Sequence, residues 1–162
     1  MGMTADAALW FLPAVIPIAI YVSWTDMSMM KITNKAVMAL VASYAILGLF
    51  AFPFDMYLWQ WLNLVVMLVI GIALNAAGVM GAGDAKFMAA AAPMIVLADI
   101  RDLMLLFAAC LIAALLVHRA AKYSPIRAAV PHWKSWEDRK FPKGFPLSVT
   151  LLMYLLLVAI YR

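Results

Sequence analysis

Six apolar runs, separated by short polar or turn-forming stretches, take up most of this chain. They cover residues 7–24, 36–52, 58–79, 85–98, 103–117 and 146–161. A helix that crosses a bilayer needs about 20 mostly apolar residues, within a range of about 17–25. The runs therefore predict one crossing each. The fourth is the shortest and contains Pro93, so it is expected to tilt little, to thin the bilayer locally, or to start before Asp84 with a broken first turn. Composition closes off a soluble alternative. The chain is 69% hydrophobic and 12% charged, against roughly 45–50% apolar and about 25% charged for soluble domains. So few charges cannot cover so much apolar surface. The expectation is an all-α, polytopic membrane protein with about six transmembrane helices, in one domain over residues 1–162.

The first run follows "MGMTADAALW", which has neither a basic leader nor a small-residue cleavage site after it. It reads as a retained first span. Cys110 is the sole cysteine, and His118 and His132 are isolated from each other and from it. No Cys/His set has zinc-ligand spacing, and no phosphate-cradling loop is present, so neither a metal nor a cofactor is expected. The basic residues follow membrane sidedness and do not suggest nucleic acid.

That sidedness is strong. Residues 25–35, 80–86 and 119–145 lie on one side of a six-span layout. They carry Lys31, Lys35, Lys86, Arg119, Lys122, Arg127, Lys134, Arg139, Lys140 and Lys143. The other side has only Arg101 and Arg162. Excess lysine and arginine in short loops marks the cytoplasmic face, which places both termini outside. Residues 119–145 form the longest polar stretch. Trp133, Trp136 and Phe141 among its basic residues suggest a segment lying on anionic headgroups, with membrane lipids as partners.

The eight acidic residues then sort by position. Asp6, Asp55, Asp99 and Asp102 fall at outer ends or in outer loops, and Glu137 and Asp138 lie in the basic segment; solvation accounts for all six. Asp26, in "YVSWTDMSMMKITNK", and Asp84, in "MGAGDAKFMAA", remain. Both fall at the cytoplasmic membrane boundary. Asp84 also sits where a carboxylate caps a helix N-terminus. As a pair they read differently. Two carboxylates that share a proton split their affinities for it. One can then take a proton from water while the other donates to a carbonyl oxygen. Gly81 and Gly83 leave room for the backbone to break helical geometry and for a substrate backbone to approach.

These residues resemble the GxGD-type aspartic prepilin peptidases. "GAGDAK", Gly81 to Lys86, is similar to that family's second-aspartate motif, with a lysine two positions after the aspartate. "DMSMMKITN", Asp26 to Asn34, is similar to its first-aspartate motif, except that Thr33 stands where proline is usual. "FPKGFP" ahead of the last run is similar to a proline-glycine approach in relatives, with Lys143 in place of an aromatic. The resemblance implies Asp26 and Asp84 as the catalytic pair, with Gly81, Gly83, Lys86, Lys31 and Asn34 in support and no cofactor. It also implies an endopeptidase in the bacterial cytoplasmic membrane, with prepilin-like precursors as substrates, cut after a short basic leader. The extra amino-terminal region and paired cysteines of the bifunctional, methylating members are missing, which points to the short peptidase-only form of tight-adherence (Flp) pilus systems. A preflagellin or signal-peptide-type peptidase would share the aspartate pattern. A small transporter or a non-catalytic assembly subunit would not need it.

Overall fold

The computed structural model describes residues 2–138 and 141–162. Arg139 and Lys140, two of the ten basic residues behind the expected sidedness, lie outside the described residues. Among the described residues, seven α-helices follow in chain order: α1 (Ala5–Met29), α2 (Asn34–Ala51), α3 (Phe54–Ala76), α4 (Ala82–Ala91), α5 (Ile100–Lys122), α6 (Ile126–Ala129) and α7 (Gly144–Tyr161). No strand occurs among the described residues. Among the described residues, five helical segments are long and apolar enough to cross a membrane: Ala5–Met29, Asn34–Ala51, Phe54–Ala76, Leu97–Lys122 and Gly144–Tyr161. The chain is an all-α, multi-pass membrane protein.

The bundle is built around α1, which packs between α2 and α7. Phe11, Val15 and Val22 of α1, Leu40 and Tyr44 of α2, and Leu155 of α7 are all at 0% exposure in one apolar cluster. Helix α4 packs on α3, α2 and α7, and α5 packs on α7 at the other flank. Of the α5 residues only Ala114 and His118 are buried, so most of that helix is left for lipid.

The fourth run does not form a full-length helix. Helix α4 has ten residues, or about 15 Å of rise, half the ~30 Å bilayer core. Pro93 then turns the chain into a 3-10 segment, Ala92–Met94; Ile95 and Val96 are extended, and a second 3-10 turn covers Leu97–Asp99. Bare carbonyls at such depth need partners. Gln60 of α3 supplies them: its side-chain amide donates to the carbonyls of Pro93 at 3.1 Å and Ile95 at 3.0 Å. Asn63 in turn donates to the Gln60 oxygen at 2.8 Å. Near the other end of α3, Gly71 allows close approach, because a Cβ there would stand 2.9 Å from the Ala85 Cβ. So residues 82–99 run antiparallel to α3 as a broken crossing, spliced by side chains.

One expectation about the carboxylates fails. Asp6, Asp55 and Asp102 are exposed, but Asp99 is buried at 2% exposure. It accepts from the Met3 N–H at 2.9 Å, the Tyr154 hydroxyl at 2.8 Å and the Arg162 guanidinium at 2.7 Å. These four groups clasp α1, α5 and α7 at the end of the bundle away from Asp26. A buried charge is tolerated because every approach to it carries a donor.

Candidate active site

The last turn of α1 carries Asp26, which is 5% exposed. Its carboxylate reaches the first turn of α7, where the Phe145 N–H donates to Oδ2 at 3.0 Å and the Gly144 N–H donates as well. Lys143, at the N-cap position of α7, makes no side-chain cap bond, so Asp26 serves as the capping carboxylate from another helix. The orphan N–H groups and positive end of the helix dipole favour an acid there. The arrangement depends on Gly144: a Cβ at that position would stand 2.9 Å from Asp26 Cγ and 2.8 Å from Ile32 Cδ1.

After Asp26 the chain turns sharply. Met30 adopts the left-handed conformation, φ 55° and ψ 41°, and its N–H donates to the Asp26 carbonyl at 2.9 Å. Thr33 then caps α2 by accepting the Ala36 N–H at 3.3 Å. Its φ of −77° lies within the range of a proline ring. The threonine in "KITN" therefore keeps a backbone shape that proline also adopts, and adds a cap.

Asp84 sits in the first turn of α4, three residues after the N-cap Gly81, and its carboxylate accepts the Gly81 N–H. This is the returning half of a capping box. Asp84 is half-buried, and Lys143 stands near enough for its charge to act on the carboxyl. Neither Gly81 nor Gly83 has a positive φ, the one such glycine being Gly78 at 74°. The helical geometry is therefore interrupted at Gly78, before the motif, and Gly83 lies inside α4. A Cβ on Gly83 would make ordinary contact with Ile32, at 3.4 Å.

The two aspartates come to the same place. The charge of Asp84 acts on the Asp26 carboxyl, and Ile32 lies against both Gly83 and Gly144. Lys143 ties the third element in, donating to the Val79 carbonyl at 3.2 Å. The two motifs are also joined directly, since Lys86 Nζ donates to Asn34 Oδ1 at 3.2 Å. Lys31 is exposed on the α1–α2 turn. Among the described residues, no three His, Cys, Asp or Glu side chains are grouped so as to hold a metal ion.

The sequence matches the Type IV leader peptidase family over residues 14–118, more than half of the chain. The chain belongs to that family. Comparison with curated proteins gave no match, and neither did comparison with solved structures. The matched stretch contains both aspartates but ends before α7. Lys143, Gly144 and Phe145, which complete the surroundings of the pair, lie beyond it. Nothing in their residue types signals this role; the Pro-Lys-Gly-Phe-Pro setting marks only a helix start.

The basic segment is also more folded than a stretch lying on headgroups. Trp136 is 2% exposed, and its indole N–H donates to the Val130 carbonyl at 2.9 Å. Its ring stacks on His118 at 5.1 Å, and Phe141 meets the same His118 edge-on at 5.7 Å.

Proposed function

We propose that this leader peptidase is an aspartic endopeptidase in which Asp26 and Asp84 activate water between them. The observation that carries the reading is their convergence. The two carboxyls are 58 positions apart in sequence and stand on different helices, are partly or fully buried, and lie near enough for the charge of Asp84 to act on Asp26. In the proposed cycle one carboxylate takes a proton from water as its oxygen attacks the scissile carbonyl carbon. The protonated partner gives its proton to the carbonyl oxygen. Collapse of the resulting gem-diol breaks the C–N bond: one of its hydroxyls returns a proton to the partner that gave one up, and the aspartate that took the water proton passes it to the leaving amine. Both aspartates end in their starting states.

The proposed substrate is a prepilin-like precursor, met at the cytoplasmic face of the bacterial inner membrane and cut after its basic leader. The ten-to-two distribution of basic residues supports that sidedness. The peptidase-only, Flp-type assignment without methyl transfer is part of the same proposal and rests on the resemblance of the two aspartate motifs. Co-expression with an Flp-type prepilin tests the reading. Wild type removes the leader, whereas Asp26→Asn and Asp84→Asn insert normally and leave it attached. Leader removal by either variant at the wild-type level overturns the aspartic mechanism.

A further inference from the structure

The two helices that carry the aspartates scarcely touch. Helix α4 packs on α3, α2 and α7, and α1 packs on α2 and α7, but α1 and α4 share almost no direct contact. The spacing of Asp26 and Asp84 is therefore set by whatever joins the α4 region to the helices that flank α1. Among the described residues, two lysine side chains make hydrogen bonds of that kind. Lys86 reaches Asn34 at the start of α2, within the two motifs. Lys143 reaches from the N-cap of α7 to the Val79 carbonyl at 3.2 Å, in the turn between α3 and α4.

That turn is where α4 is freest to swing. Gly78 takes φ 74°, and a Cβ there would meet no atom within 4 Å. Val79 is exposed, so packing does not hold it. Asn75 donates to the Met80 carbonyl at 2.8 Å, but Asn75 belongs to α3 and ties the turn only to the helix it leaves. Lys143 ties it to a different part of the bundle. The same residue is placed to serve the other aspartate. The next two residues, Gly144 and Phe145, donate their N–H groups to Asp26. The Lys143 ammonium also stands near enough for its charge to act on Asp84.

We propose that Lys143 is a positioning residue for the aspartate pair: by holding the Val79 carbonyl it fixes the turn into α4, and so sets Asp84 against the α7 terminus that Asp26 caps. Lys143 and Val79 are both exposed, so the bond adds little to overall stability. Its effect on geometry is larger, because a misplacement near 1 Å costs about 100-fold in rate. The consequence for cleavage rests on the peptidase reading; the geometry does not.

Spin labels at two exposed positions, Met29→Cys on α1 and Ala82→Cys on α4 in a Cys110→Ala background, measure that geometry by pulsed electron resonance without reference to cleavage. A single narrow distance is expected with Lys143 and with Lys143→Arg, which keeps a donor and a charge. Lys143→Met broadens it, while the thermal midpoint stays the same. In unlabelled protein, Lys143→Met lowers kcat on a prepilin about tenfold with KM unchanged, and Lys143→Arg recovers most of the loss. An unchanged distance in Lys143→Met overturns the proposal, whatever happens to cleavage. A midpoint that falls with the broadening overturns it in favour of a general folding role, and a change in KM alone overturns it in favour of a substrate contact. Where wild type removes no leader, the peptidase reading fails, and the distance measurement still decides whether Lys143 positions α4.

Discussion

Asp26 of α1 accepts the backbone N–H of Phe145 at 3.0 Å, so a carboxylate near the end of the first long helix caps the start of the last one, 119 positions away. The capping bond fixes where the carboxylate oxygens point. It also makes the first turn of α7 part of the candidate site, although the family match ends at residue 118.

That contact predicts an asymmetry between glycines. Gly144→Ala drives a methyl group toward Asp26 Cγ and Ile32, at 2.9 and 2.8 Å, and lowers leader cleavage by about 100-fold, the scale of a misplacement near 1 Å. Gly83→Ala makes only a 3.4 Å contact with Ile32 and keeps most of the activity. Cleavage rates of the two purified variants check the order; a milder effect at position 144 contradicts it.

Gln60→Leu strips two carbonyls, those of Pro93 and Ile95, of their donor. The expected loss is roughly 1–2 kcal/mol of stability, read as a lower thermal midpoint in detergent. Gln60→Glu keeps acceptors but loses the donating amide and does not restore it.

Met30→Gly is expected to stabilise the protein by about 1 kcal/mol, because φ 55° costs a side-chain-bearing residue roughly that much and glycine little. Thermal unfolding beside wild type measures it. A lower midpoint means that the Met30 side chain contributes packing worth more than the strain.

The long spans were legible because an apolar run of bilayer length has one cheap solution, a helix, and their boundaries follow charges and caps such as Thr33. The fourth crossing was legible as abnormal from its length and Pro93. Its splice was not, since Gln60 and Asn63 look like stray polar residues until the chain folds back on them. Asp99 was misread for a related reason: its donors are Met3, Tyr154 and Arg162, all distant in sequence. At the candidate site the two aspartates announced themselves as charges with no simple solvated place. The glycine that matters for close approach to Asp26 was in a third segment, because backbone contact between α1 and α7 leaves no periodic trace in the sequence.

The central claim, that Asp26 and Asp84 act as one unit, is tested most directly by cleavage rates of purified Asp26→Asn, Asp84→Asn and the double variant on one prepilin substrate. Groups that act together lose their function together. Each single variant is expected to fall by about 1,000-fold or more, given the usual size of acid–base contributions, and the double variant no further. Wild-type cleavage by either single variant, or two partial losses that multiply in the double variant, would contradict the paired mechanism.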